Sequence, residues 1–418
     1  MEIIEIFNEM IKNICLENFF SFGEDQVVHL NPRVNVLVGI NGSGKSNFLK
    51  AIRLLFESIA GEGFEKLFLK DWSGFNSVSN YSTNSKDFIK ITYEFDKDAI
   101  KRVVNGHGYV FPTNPIYELT IKKAGSTSYY IKEKLYSKNV DSDKKTFIFL
   151  EMENGRGIIS ATDKNKDEIQ KYPQEGNEIT FKTQETVLRQ ISDPDRFYPL
   201  FTLKRAIEGI AVYDYFDTTL QGLIRQPGTY STEEKLASNG NNLMSLLLRM
   251  KNHHLNEYEK IEKEIKKINP YFRDINFDLI GSKIYLVLRE INLSKSVPIE
   301  HISDGTLRFL LFLSILYNPE RGSLLCIDEP ETGLHPDMIN TIVKAIKFAS
   351  GDKSQIIMAT HSPLLLNSFD LDDILIFEKD EKNQTIVETK TEEDFEEWDD
   401  NYLVGQLWLR GQIGGKRW

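Results

Sequence analysis

Gly39-Ile40-Asn41-Gly42-Ser43-Gly44-Lys45-Ser46 constrains this chain more than any other stretch. It fits G-x-x-x-x-G-K-[ST], a loop whose backbone N–H groups can all turn inward onto phosphate oxygens. In that pattern the Lys45 ammonium reaches the β- and γ-phosphates, and the Ser46 hydroxyl is a ligand for Mg²⁺. Asn41, Gly42, Ser43, Gly44 and Asn47 are the other expected phosphate-site residues. The flanks agree. Val34 to Val38 reads as a buried strand and Ser46 to Ala60 as a helix, so phosphates would meet a helix N-terminus.

Composition narrows the remaining classes. The chain has 418 residues, 40% hydrophobic and 27% charged, which suffices for two or three compact units. Its net charge of -11 argues against a uniformly basic surface that coats nucleic acid. The two cysteines, Cys15 and Cys326, have apolar neighbours and read as buried thiols in a reducing compartment. No run approaches the roughly 18 apolar residues of a membrane helix, and the acidic N-terminus does not read as a signal peptide. The expectation is a cytoplasmic chain with no membrane partner.

A second cluster lies far downstream. Leu324-Leu325-Cys326-Ile327-Asp328-Glu329-Pro330 is an apolar run ending in two carboxylates, the pattern of a buried parallel strand that delivers acids to a ligand crevice. Asp328 suits Mg²⁺, and Glu329 suits a general base for the attacking water. Ile302-Ser303-Asp304-Gly305-Thr306 precedes a helix from Leu307 to Tyr317; it reads either as an anion site or as a simple N-cap. Glu331-Thr332-Gly333-Leu334-His335-Pro336 follows as a tight loop. Gln355 to Ala359 then reads as a strand ending in Thr360-His361-Ser362-Pro363, where His361 could bond a phosphate oxygen or the attacking water.

The order of these pieces resembles an ABC-type ATPase head, and more narrowly the SMC/RecF-like branch. Leu16 to Phe22 resembles that branch's first strand, Asn41 to Asn47 its P-loop, and Asp328-Glu329-Pro330-Glu331 its Walker B ending. The resemblance covers about residues 1–60 and 295–380. It implies an α/β fold: a mixed sheet with an antiparallel side sheet, carrying an inserted lobe. It also implies ATP and Mg²⁺ as ligands, and a homodimer that closes around two ATPs. Lys45, Ser46, Asp328 and Glu329 would then act on ATP in cis, and His361 would match the switch histidine. Ser303 and Gly305 would touch the γ-phosphate of the ATP held by the other protomer. The Mg²⁺-sensing glutamine of such heads has two candidates, Gln184 and Gln190, with Gln190 preferred. Asp304, where transporter subunits carry glycine, brings a negative charge that would retune hydrolysis.

Roughly 240 residues separate the P-loop helix from the signature segment. No heptad pattern persists there, so a long coiled coil is not expected. Strands are expected at Asp87–Phe95, Tyr117–Lys123, Ser128–Tyr136, Thr146–Met152, Phe277–Ile280 and Lys283–Arg289. Asp163 to Gly176 reads as a loop or short helix. Leu200 to Tyr213 and Asn241 to Ile268 have helical spacing, the latter as one amphipathic helix. The expected division is 1–160 and 291–385 for the two halves of the head, 161–290 for a compact helical and β lobe, and 386–418 for the tail.

Glu388 to Asp400 is strongly acidic, and the end beyond it is rich in glycine and tryptophan: Trp398, Trp408 and Trp418. Such an apolar end must be covered, either by its own head or by a partner. Only about 50 residues follow Ser362, too few for the Toprim nuclease of OLD-type relatives. The resemblance extends to Septu- and PARIS-type ATPases of bacterial defence. It implies an ATP-driven switch, dimeric or stacked into a larger ring, that controls a separate effector such as a nuclease docked through the tail. The competing expectation is a RecF-like repair ATPase that clamps DNA. A transporter subunit is disfavoured by the long insert and the Ser-Asp-Gly-Thr signature.

Overall fold

A computed structural model describes residues 9–82, 86–125, 128–138, 146–163, 166–172, 181–395 and 403–414. Trp398 and Trp418 lie outside them. Contacts divide the chain into two compact units: residues 1–210, 375–389 and 414–418, and residues 211–374 and 390–413.

The first unit is built on an antiparallel sheet of eight strands. These are β1 (Ile11–Glu17), β2 (Gln26–His29), β4 (Phe88–Phe95), β5 (Pro115–Ala124), β6 (Ser128–Ser137), β7 (Phe147–Glu153), β8 (Arg156–Asp163) and β9 (Lys166–Tyr172), in the order β2-β1-β4-β5-β6-β7-β8-β9. β4 alternates half-buried and buried residues along its whole length, as a strand with one face on a core must. Its inward Tyr93 is fully buried and donates its hydroxyl to the Ala51 carbonyl at 2.7 Å, which pins the helix Lys45–Ile59 to the sheet. Beside it stand β3 (Val34–Val38), β17 (Ile374–Lys379) and β18 (Thr385–Glu388). β3 is buried throughout, and Phe48 of the helix packs edge-on against Phe377 of β17.

The second unit holds β10 (Ile210–Tyr213), β15 (Leu324–Asp328) and β16 (Gln355–Ala359) side by side. β15 and β16 run parallel. A smaller antiparallel sheet combines β11 (Gly228–Thr229), β12 (Phe272–Ile280), β13 (Lys283–Glu290) and β14 (Val297–Pro298). Helices Asp304–Leu316 and Pro336–Asp352 supply much of this core, with Leu307, Leu311 and Leu313 of the first fully buried. Among the described residues no helix is long and apolar enough to cross a membrane.

Three expectations need correction. Residues 166–172 form a strand, not a loop or short helix, because backbone pairing with β8 makes a strand whatever the local sequence polarity. The stretch after Ile207 leaves the helix and becomes β10, whose four residues are all buried. The single helix expected over 241–268 is two, Leu243–His253 and Leu255–Ile268. His254, after the weak helix formers Asn252 and His253, breaks it with φ −137 and ψ 55.

The described tail docks on its own unit. Val404, Leu407 and Ile413 are buried, and the helix Val404–Leu409 lies against the helix Pro363–Leu366. The approach requires Gly405, whose N–H donates to Asn367 Oδ1 at 2.9 Å; a Cβ there would sit 2.2 Å from the Pro363 carbonyl. Gly405→Val should therefore release the tail. Limited proteolysis should cut the variant beyond residue 395 well before the wild type.

Candidate functional site

The P-loop is shaped from behind by β18. The Thr385 hydroxyl donates to the Ser43 carbonyl at 2.7 Å and lies 2.7 Å from Ser21 Oγ. Gly44 has φ +114, and a Cβ on it would stand 2.2 Å from Thr385 Oγ1, so only glycine fits. The helix that follows starts without a side-chain cap and without an acid in its first turn, leaving its N–H groups and dipole for an anion. Lys45 is 5% exposed, and its ammonium donates to the carbonyls of Gly39 at 2.7 Å and Ile40 at 3.2 Å. Among the described residues the buried Ser43 hydroxyl has no hydrogen-bond partner. Ser46 is exposed, and Asn47 donates to Ser21 Oγ at 2.9 Å. A buried ammonium, uncapped helix amides and an orphan hydroxyl fit a polyphosphate.

Gln190 is a correction. Its amide nitrogen donates to the carbonyls of Lys182, Glu185 and Thr186 at 3.1–3.3 Å, and its oxygen accepts from the Lys182 N–H at 2.7 Å. Neighbouring Thr186 and Arg189 donate to the carbonyls of Ser58 and Gly61, at the far end of the P-loop helix. A 15-residue helix is about 22 Å long, so Gln190 sits too far from Ser46 to share a metal ion with it. The segment serves as a clasp instead. Its short helix, Val187–Gln190, is capped by Glu133 of β6, which accepts from the Val187 N–H at 2.5 Å and from the Tyr117 hydroxyl at 2.8 Å. Gln184 offers its carbonyl to the Tyr129 hydroxyl in the same clasp.

In the second unit, β15 is buried up to Asp328, which is half-buried at the strand's end. Asp328 stands opposite Ala359 in register. Glu329 then turns sharply, with φ +48, while its N–H still donates to the Ala359 carbonyl at 2.9 Å. A non-glycine residue in the left-handed region is strained, and such strain concentrates at sites of function. The Glu329 carboxylate accepts from the Thr332 hydroxyl at 3.0 Å and lies 3.6 Å from His361 Nε2. Glu331 accepts from the Thr360 hydroxyl at 2.6 Å and the His361 N–H at 2.8 Å. Burial pushes the Glu331 carboxyl above its ordinary range, and neighbouring Glu329 adds to the rise.

Ser303 caps the signature helix, accepting from the Thr306 N–H at 3.2 Å. Gly305 lies so close to the Gly333 carbonyl that an added Cβ would stand 2.9 Å from it. The charge on Asp304 is offset by Arg225 at 2.6 Å. That guanidinium is 2% exposed and also donates to the carbonyls of Thr218, Ile299 and Ile302. It thus ties the segment before the signature to the stretch around Thr218. The sequence carried no signal for Arg225, 79 positions away from Asp304. It carried none for Thr385 either.

The first unit therefore holds Asn41, Gly42, Ser43, Gly44, Lys45, Ser46 and Asn47 on one loop. The second brings Asp328, Glu329 and His361 together at the ends of two neighbouring strands, with Ser303 and Gly305 at the start of one helix.

The chain is similar to several known proteins. Retron Vc95 probable ATPase of Vibrio cholerae serotype O1 biovar El Tor is 22% identical over 390 residues, 88% of this chain and 73% of that protein. The DNA replication and repair protein RecF of Halothermothrix orenii is 31% identical over 96 residues, covering 23% of this chain and 25% of RecF. Among solved structures, an SMC head bound to the C-winged helix domain of ScpA matches with a TM-score of 0.55 at 15% identity, over 92% of this chain and 99% of that one. An SMC head with an extended coiled coil, bound to the C-terminal domain of ScpA derived from Pyrococcus furiosus, matches with a TM-score of 0.52 at 12% identity, over 92% and 97%. The fold is that of an SMC-type ATPase head. A family model described as "AAA domain, putative AbiEii toxin, Type IV TA system" matches residues 34–367, and the chain belongs to that family.

Arg225→Met leaves three carbonyls without their donor and should cost about 3 kcal/mol in urea unfolding. Asp304→Asn, at a side chain 66% exposed, should cost under about 1 kcal/mol. Burial also pushes the Glu133 carboxyl up to about 7. An acid whose folded pKa is raised holds its proton in the folded state only, so stability falls as pH climbs from the unfolded value near 4.5 to about 7. The loss is about 3 kcal/mol. Urea midpoints at the two ends of that window should lose this component in Glu133→Gln.

Proposed function

We propose that this AAA-family ATPase head hydrolyses ATP as a switch that dimerises around its nucleotide, and that it is the ATPase subunit of a prokaryotic anti-phage system controlling a separate effector. The observation that carries this reading is the span of the likeness. Similarity to the retron ATPase runs through 88% of the chain, which must include the inserted lobe, whereas likeness to RecF stops at 23%.

The residues support hydrolysis as follows. The amides of Gly42 to Ser46 and the Lys45 ammonium hold the β- and γ-phosphates, with Asn41 and Asn47 flanking them. Ser46 on the P-loop and Asp328 at the end of β15 each offer an oxygen donor of the kind Mg²⁺ takes, and the ion would neutralise charge developing on the transferred phosphoryl group. Glu329 accepts a proton from the attacking water, whose oxygen bonds to the γ-phosphorus as the bond to the bridging oxygen of ADP breaks. His361 donates to a γ-phosphate oxygen. Ser303 and Gly305 address the γ-phosphate held by the second protomer, so a lone chain has an incomplete site. The docked tail, with Leu403 44% and Leu409 58% exposed, is the surface assigned to the effector.

Native mass of the chain co-expressed with its genomic neighbours tests both halves of this reading. Glu329→Gln should hold a homodimer with ATP and turn over at least about 100-fold more slowly than wild type, and Lys45→Ala should stay monomeric. A second polypeptide should remain bound. An ATP-dependent homodimer with no neighbour, together with a steeply salt-dependent, ATP-dependent affinity for DNA, would transfer the assignment to a RecF-like clamp.

A further inference from the structure

We propose that Glu331 is a positioning residue of the hydrolytic site, the side chain that sets His361 against Glu329. The inference rests on the assignment of those two residues to ATP hydrolysis.

The regular pairing of β15 with β16 ends at Asp328 and Ala359. One further backbone bond, from Glu329 to Ala359, continues it into the strained turn. Past that point, among the described residues, the strand ladder does not extend to Thr360, His361 and Ser362. The Glu331 carboxylate takes over the task with a single oxygen. Oε1 accepts from the Thr360 hydroxyl and from the His361 N–H, at 2.6 and 2.8 Å. Thr360 Oγ1 accepts in turn from the Ser362 N–H at 3.0 Å. One acceptor atom thus orders three consecutive residues of the switch segment.

The His361 ring and the Glu329 carboxylate are 3.6 Å apart, longer than a hydrogen bond, with side chains 31% and 47% exposed. No direct hydrogen bond sets their spacing, which depends on the Thr332 bond to Glu329 and on the backbones that carry the two side chains. Both backbones meet at Glu331. The arrangement is costly for a mere turn: the carboxylate is largely buried, and among the described residues Oε2 has no hydrogen-bond partner. Burial pushes its proton affinity up, and the nearby Glu329 charge works in the same direction. A small apolar residue closing the same turn would avoid both penalties. The geometry that the Oε1 acceptor imposes on Thr360 and His361 is what offsets them.

Steady-state ATP hydrolysis by the full chain, with kcat and KM separated, tests this. Glu331→Gln keeps Oε1 as an acceptor for both donors and should stay within about threefold of wild-type kcat. Glu331→Asp keeps the charge but withdraws the acceptor by one methylene. It should lower kcat on the order of 30-fold, with KM for ATP within about threefold, because the P-loop is untouched. Glu331→Ala should resemble Asp. If Ala fails to fold, the Gln and Asp pair still decides. Asp as fast as wild type, Gln as slow as Asp, or a loss carried by KM would overturn the proposal, provided the wild type turns over and Glu329→Gln does not. A wild type without turnover would overturn the hydrolytic assignment itself and this inference with it.

Discussion

Five parallel residue pairs, from Leu324 opposite Gln355 to Asp328 opposite Ala359, decide where the chemistry of the second unit can occur. The first four β15 residues are buried, so the pairing register cannot slip without driving apolar side chains into water. With the register set, the chain must leave the sheet at Asp328, and the two following strand ends open at the same level. The acids and the histidine are neighbours because two apolar strands stop together. The positive φ of Glu329 follows from the same constraint, since its N–H keeps one more bond to Ala359 while the chain already turns away.

Three loop segments are held by a buried polar side chain rather than by more apolar area. Arg225 gathers three carbonyls and Asp304 before the signature helix. Thr385 braces the P-loop from β18. Glu133 caps the clasp at the far end of the P-loop helix. Loops carry unpaired backbone groups that apolar packing cannot satisfy, so a donor or acceptor that reaches several of them at once is an efficient fastener. Such a fastener is directional, which gives a loop one conformation. It is also dispersed in sequence, which hides it from any local reading.

That dispersion separates the legible from the illegible here. The P-loop, the acidic strand end and the signature were readable because their chemistry is local: a few adjacent residues and a flanking strand or helix. The strands of the side sheet were readable from alternation. The error at 166–172 arose because pairing with β8, not side-chain polarity, makes that strand. The helix expected over 241–268 broke at His254, where apolar spacing continues but the backbone does not. Gln190 matched an expected interval along the chain, yet the P-loop helix carries the contacts of its segment about 18 Å away from Ser46.

The sequence by itself determined the local motifs: a glycine-rich loop between a strand and a helix, a strand ending in Asp328 and Glu329, and their order along the chain. Those are properties of neighbouring residues, and neighbours are what a sequence records. Only the tertiary structure decided which distant groups hold those motifs still. Arg225 reaches Asp304 from 79 positions away, and Thr385 reaches Ser43 across 342. The physical reason is that a hydrogen bond or ion pair is selected by distance in space, which a chain acquires only after its apolar strands and helices have packed.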